Sequence, residues 1–245
     1  MATTITAGSF SRLAVYEQCP HRAKLQYIDK IRELPRPDPG PGKEHANDRG
    51  SRVHDETEQY VLGNREDIPL ESLNFKAELE HLKLLYKDGC VTTEQLWTFD
   101  DTWTPSNPED KESIWLRVIL DGMVFLDNET GIVIDYKTGK RFRNEVKHAQ
   151  QGQLYMLSAF IRYPELQEVT VEFWYLDQDE IYQMTYSREQ GMRFLKLWNN
   201  KMTKMTSDEI FPKKANTSSC RFCPYKTGEI WKKAMGTGDC NSNPC

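Results

Sequence analysis

The 245 residues contain no apolar run approaching the roughly 18 that a membrane-spanning helix needs. Met1 to Phe10 carries no basic stretch leading into an apolar one. No secretory signal is read there, and a cytoplasmic protein that does not touch membrane is expected. An excess of positive charge is also missing. The formal net charge is −5, which speaks against a protein that coats nucleic acid through overall basicity. No internal repeat occurs, and the one low-complexity stretch is a Pro/Gly segment, P-R-P-D-P-G-P-G-K.

What is present is an ordinary globular composition, 38% hydrophobic and 28% charged, long enough for one well-buried core with additions. Basic residues gather locally at Lys137 to Lys147 (Lys140, Arg141, Arg143 and Lys147 besides Lys137) and at Lys213–Lys214. Such patches hold phosphate or are simply solvated surface. There are six cysteines: Cys19, Cys90, Cys220, Cys223, Cys240 and Cys245. Structural disulfides are not expected in a reducing compartment. The C-x-x-C pair Cys220/Cys223 therefore points to a metal or cluster site, or a redox pair.

Periodicity divides the chain. Phe10 to Ile31 reads as a helix, with a break or a new first turn at Pro20. Arg32 to Asn47 is a loop. Helices follow at Asp48 to Leu62 and Ser72 to Lys87. The period then shortens: strands are read at Val91 to Phe99, Ile114 to Leu126 and Gly131 to Lys137, the last two joined as a hairpin by Asp127 to Thr130. A helix over Asn144 to Tyr163 leads to strands at Val169 to Leu176 and Ile181 to Tyr186. Ser187 then caps a helix running to about Lys204. This order predicts an α/β fold, a central mixed sheet flanked by helices. Three regions are expected within one compact unit: a helical region over 1–90 with Cys19 and His54, a core over 91–207, and a cysteine-bearing tail over 208–245.

Asp121 and Asp135 carry the chemistry. Each sits in a β-prone apolar run, V-I-L-D-G-M-V and I-V-I-D-Y-K, where an unpaired charge is expensive to bury. A bound divalent cation removes that difficulty, since magnesium takes one or two carboxylates with water and phosphate oxygens completing its shell. Lys137 stands two residues after Asp135, on the same face of the strand. There it can orient or help deprotonate an attacking water, or stabilise charge on a phosphate. Tyr136 points the other way but can offer its backbone carbonyl. Two surface aspartates and a solvated lysine are the plain alternative.

The run L-D-G-M-V-F-L-D…I-V-I-D-Y-K-T-G-K resembles the metal-binding motifs of the PD-(D/E)xK nuclease superfamily, and more closely its RecB-like branch. That branch includes iron–sulfur CRISPR-associated nucleases and phage exonucleases. Leu120 stands where the family motif has proline. R-G-S-R-V-H places His54 where the branch has a helical metal ligand, one that manganese tolerates better than magnesium. Q-G-Q-L-Y resembles its Q-x-x-x-Y motif, with Gln151 and Tyr155 on one helical face, placed to hold Lys137 or contact DNA. S-F-S-R-L-A-V-Y-E-Q-C-P-H-R resembles its N-terminal segment. Glu94 lies on the strand before Asp121, where some relatives carry a glutamate. The resemblance implies a restriction-endonuclease-like core and catalytic residues Asp121, Asp135, Lys137, Gln151 and Tyr155. It implies Mg2+ or Mn2+ held by His54, Asp121, Asp135 and the Tyr136 carbonyl.

It also implies a [4Fe–4S] cluster on four thiolates, one near the N-terminus and three near the C-terminus, joining the two ends of the chain. Cys19, Cys220 and Cys223 match that pattern. Where relatives place the fourth cysteine soon after the pair, this sequence reads K-T-G-E-I-W. Cys240 is taken as the fourth ligand, with Cys245 as its substitute. A four-thiolate zinc site is the alternative, as is loss of any metal there. Cys90 falls outside the pattern.

The expected function is metal-dependent hydrolysis of DNA phosphodiesters, by an exonuclease acting on single strands or duplex ends in recombination or repair. No G-x-x-x-x-G-K-[ST] motif occurs, so unwinding would fall to a helicase or recombination partner. A phage origin, with action in the host cytoplasm, suits so small a protein. The competing classes are a non-catalytic or partner-dependent DNA-binding module with a nuclease fold, and a cluster-based redox protein. The second would leave D-Y-K unexplained.

Overall fold

A computed structural model describes residues 3–230 and 234–240. The secondary structure runs α1 (Phe10–Gln18), α2 (Pro20–Ala23), α3 (Ala46–Leu62), α4 (Lys76–Lys87), β1 (Val91–Phe99), β2 (Leu116–Phe125), β3 (Thr130–Lys137), α5 (Glu145–Arg162), β4 (Glu168–Tyr175), β5 (Glu180–Ser187), α6 (Arg188–Met192), α7 (Leu195–Ser207) and α8 (Thr217–Cys220). The strands form one five-stranded sheet in sequence order. Only the β3–β4 pairing is parallel, because α5 carries the chain from one end of the sheet back to the other between those strands. This is the mixed α/β sheet expected of the sequence.

The β2–β3 hairpin is closed by one side chain. Asp127 Oδ1 accepts the amides of Glu129 and Thr130, both at 2.7 Å, a local turn that aspartate is suited to make. On one face of the sheet, Leu13 and Tyr16 of α1, Leu154, Leu157 and Phe160 of α5, and Trp198, Met202 and Met205 of α7 pack on Trp97, Leu116, Val171 and Phe173. On the other, Val53 and Tyr60 of α3 and Leu79 and Leu82 of α4 pack on Ile134, Tyr136 and Trp174. Apolar material covers both faces, so β3 reads as a nearly continuous hydrophobic run.

The break expected at Pro20 is present, and two later helical stretches differ from the sequence reading. The first helix ends at Gln18, since Cys19 is extended (φ −160, ψ 108) ahead of Pro20; a residue before proline is forced out of the helical region. It resumes as α2 and widens to a π-helical turn over Lys24–Ile28. The helix over Ser72 to Lys87 opens instead with a 3-10 turn at Leu70–Phe75. The helix after Ser187 is two helices. Its first turn carries the reciprocal Ser187/Gln190 cap, and the break follows Gly191. A Cβ there would lie 2.4 Å from Met156 Sδ, so only glycine lets α6 approach α5 so closely.

The chain ends meet. Tyr16 Oη donates to Asp208 Oδ2 at 2.7 Å, His21 N to Pro212 O at 3.3 Å, Lys214 Nζ to Glu17 O at 2.8 Å and Tyr225 Oη to Ile31 O at 3.2 Å. No described helix is long and apolar enough to cross a membrane.

Candidate active site

The β2–β3 ladder stops at the pair Gly122–Ile134. Asp121 and Asp135 come next in register, and there the strands part. The Tyr136 amide loses its strand partner and donates instead to Asp121 Oδ2 at 2.6 Å. The parting coincides with a change of pleat. Leu116, Val118 and Leu120 face the α5 side, yet so does Met123. On β1, Val91 faces α3 and α4 while Trp97 and Phe99 face α5. The phase changes at Glu94, whose φ of +43 is unusual for a non-glycine residue. Glu94 lies opposite Asp121 between the ladder pairs Thr93–Gly122 and Gln95–Leu120.

Helices on opposite faces reach into this gap. From α3, His54 Nδ1 lies 3.1 Å from Asp121 Oδ1. From α5, Tyr155 Oη and Gln151 Nε2 donate to Asp135 Oδ1 at 3.1 and 3.2 Å. Gln151 Oε1 accepts from Lys137 Nζ at 3.0 Å, and Lys137 Nζ also pairs with Asp135 Oδ2. Gln151 therefore grips both members of the D-x-K pair. Gly152 permits this: a Cβ there would come within 3.2 Å of the Phe173 ring, so the small residue lets α5 lie close on β4. Tyr136 points into the opposite core, against Trp174 and His54.

An open cleft of about 530 Å³ is lined by Asp55, Glu58, Glu94, Asp121, Asp135 and Lys137, among others. Asp135 is 3% exposed. Burial pushes its carboxyl up; the Lys137 ammonium opposes this and the Asp121 charge adds to it, with a net rise. Glu94 is pushed up to about 7 by desolvation and by the charges of Asp121 and Glu58. Burial works to lower His54, but the Asp121 hydrogen bond and the Asp121 and Asp135 charges outweigh it and raise it. Burial is the larger cause for Asp135 and Glu94, and the clustered carboxylates add to both and raise His54. A polyanion cannot enter such a cleft until cations offset it. Ligand atoms of His54, Glu94 and Asp121 lie within 4.8 Å of one another, an oxygen-rich set with one imidazole that suits magnesium or manganese. Asp135 lines the same cleft but stands beside this set of side chains rather than in it.

The family profile of the PD-(D/E)XK nuclease superfamily matches residues 7–227, nearly the whole chain. The chain belongs to the PD-(D/E)XK nuclease superfamily. Nucleases of this superfamily use divalent metals, as the donor set here would allow. Among solved structures, SSO0001 is 15% identical, with 89% of this chain and 82% of that one covered at a TM-score of 0.39. An exonuclease candidate from Eubacterium rectale is 10% identical, with 85% and 84% covered at a TM-score of 0.49. No curated protein matches.

Cys19, Cys220, Cys223 and Cys240 line one further pocket, with His21, Leu25 and Ala215 and with the cationic side chains of Arg22 and Lys213. Burial pushes the Cys223 thiol up. Cys90 lies at the start of β1, outside this pocket, and Cys245 lies outside the described residues. Two cleft carboxylates, Glu58 and Asp55, lie outside the motifs that the sequence offers. Glu58 stands four after His54 on α3, and that spacing was its available signal.

Proposed function

We propose that the chain is a divalent-metal-dependent DNA nuclease whose reacting group is Lys137, held between Asp135 and Gln151. The observation that carries this reading is the junction at Gln151, which fixes the D-x-K pair where β2 and β3 part, beside His54, Glu94 and Asp121. His54, Glu94 and Asp121 would hold the ion, with Asp135 and the Tyr136 carbonyl adjoining. A bound ion there supplies Lewis acidity toward phosphate and a water of lowered pKa. Lys137, with its ammonium fixed by two acceptors, orients water or donates to phosphate oxygen. Tyr155 keeps Asp135 Oδ1 occupied, so the other oxygen faces Lys137. End-directed cleavage of DNA in recombination or repair, alongside a separate helicase, is the role that the RecB-like resemblance favours.

The same reading assigns Cys19, Cys220, Cys223 and Cys240 to a [4Fe–4S] cluster. The donor set fits: four cysteines share one pocket whose basic side chains offset the thiolate charge. A cluster bound there supplies four metal–thiolate bonds between distant parts of the chain.

The test is cleavage of end-labelled single- and double-stranded DNA by anaerobically purified protein with magnesium, manganese or chelator. Metal-dependent cutting, abolished in Asp135→Ala and Lys137→Ala, is expected. Folded wild type that cuts no substrate under any of these conditions would overturn the enzyme reading in favour of a DNA-binding module.

A further inference from the structure

The loop between β3 and α5 begins at the cleft and ends in an aromatic side chain held out into water. Phe142 is 68% exposed and Val146 73%. Exposure of one phenylalanine is ordinary, but this one is not on a slack segment. Arg141 N donates to Gln178 Oε1 at 2.7 Å, the Arg141 guanidinium pairs with Glu180, and it lies 4.0 Å over the Tyr182 ring. Asn144 Nδ2 donates to Lys140 O at 2.9 Å and Asn144 N to Arg141 O at 2.9 Å. Arg49 Nη1 donates to Thr138 O at 3.1 Å, fixing the other end to α3. Arg143 adopts φ +70, a conformation that costs energy in a non-glycine residue. It places its guanidinium 5.3 Å from the Phe142 ring. Pinned on both sides, the loop presents the ring instead of folding it away.

The surroundings are basic in a chain of net charge −5. Glu180 takes Arg141, and among the described residues no carboxylate pairs with Lys140, Arg143 or Lys147. The 18-residue helix α5 starts here, and its N-cap Asn144 gives no side-chain hydrogen bond to the first turn. Its Nδ2 is turned to Lys140 instead. Glu145 in the first turn meets part of the helix dipole, and Lys140, Arg143 and Lys147 outnumber it, so the first-turn amides still favour a further anion. A stacking ring flanked by cations and helix amides is how sequence-tolerant sites hold unpaired nucleic acid. A closed duplex offers its phosphates but buries its base faces. Phe142 follows Lys137 by five residues, so its Cα lies at most about 18 Å away, within roughly five nucleotides of backbone.

We infer that this loop is a single-strand binding element, in which Phe142 stacks on an unpaired base while Lys140, Arg143 and Lys147 take the neighbouring phosphates. It rests on the nuclease reading above, because the strand it holds must lead to Lys137. The substrate class is then a single strand or the frayed end of a duplex.

The test is fluorescence anisotropy in chelator, with a labelled oligothymidine strand and a blunt duplex of the same length. Wild type, Phe142→Ala, Phe142→Trp and Lys140→Ala/Arg143→Ala are compared. With one stacked base lost, Phe142→Ala is expected to weaken single-strand binding about tenfold. The tryptophan variant restores it, and duplex affinity changes little. The double variant weakens both ligands and flattens the salt dependence. A 2-aminopurine base walked along the strand shows quenching at one position, lost in Phe142→Ala. Unchanged single-strand affinity in Phe142→Ala, or equal losses for strand and duplex, would overturn the inference. Binding is read without cleavage, so a wild type that cuts DNA but shows no Phe142 effect sinks this inference and leaves the nuclease. A wild type with Phe142-dependent binding that never cuts does the reverse.

Discussion

Asp121 stands in for a strand. Its Oδ2 accepts the Tyr136 amide at 2.6 Å, one step beyond the last β2–β3 ladder pair. The same carboxylate faces His54 through Oδ1. Its removal therefore has two separable effects. Asp121→Ala leaves a buried amide unsatisfied and should cost about 1–3 kcal/mol of stability. Asp121→Asn keeps an acceptor oxygen but not the charge. It should retain most of the stability in denaturant unfolding while still losing cleavage. Equal stability of the two variants would remove Asp121 from its structural part.

Gln151 links Lys137 to Asp135 without being able to transfer a proton at neutral pH. Gln151→Ala should lower kcat by about a hundredfold through misplacement of Lys137, with KM for DNA little changed. Tyr155→Phe removes one hydrogen bond to Asp135. At about 1.5–3 kcal/mol for a bond to a charged group, it should lower kcat by at least tenfold. A rise in KM with kcat intact would mean that these residues bind DNA instead.

Much of this arrangement was legible in the residues. The alternation predicts β1 over Val91 to Phe99, and the strand has those bounds. The hairpin and the shared face of Asp135 and Lys137 follow from period two alone. Tertiary contacts were not legible. The close approach of α6 to α5 depends on Met156 packing over Gly191, a contact far away in sequence. The positive φ of Glu94 turns a strand residue toward His54, and no local pattern announces it. Cys240 was reached through resemblance, and only the folded tail places it in the pocket with Cys19.

His148 supplies a test in pH. Its Nδ1 lies 2.6 Å from Tyr175 Oη. Desolvation first, then the Lys137 and Lys147 charges, lower it to about 4. The unfolded chain takes up this proton near the ordinary value of 6.5, before the folded one does. Stability from this group is present above that value and is lost as pH falls toward about 4. The melting temperature of His148→Asn should therefore fall less than that of wild type between about pH 7 and pH 5. Parallel curves would show that His148 is not held neutral.

If the four cysteines hold the proposed cluster, its removal should loosen the joined ends. Cys19→Ser and Cys220→Ser are expected to lose bound iron and visible absorbance, whereas Cys90→Ser, outside the pocket, keeps both. By analogy with a covalent cross-link of long span, the stability lost is about 2–4 kcal/mol. Metal analysis that finds zinc, dependent on the same cysteines, would replace the cluster with a four-thiolate zinc site.

Glu94 tests which residues hold the proposed catalytic ion. The sequence motifs centre on Asp121 and Asp135, but the grouped ligand atoms are those of His54, Glu94 and Asp121. Glu94 is pushed up to about 7, so in the metal-free protein it is largely protonated in mild acid. A metal must displace that proton, and affinity should climb as pH rises through about 7. Glu94→Gln removes the charge and the proton together. It should weaken manganese binding at least about tenfold, as changes around metal ligands commonly do, and reduce the pH dependence of binding to the part that His54 contributes. Isothermal titration with manganese across that pH range measures both. Tight binding retained in Glu94→Gln but lost in Asp135→Ala would move the ion to the Asp121–Asp135 pair.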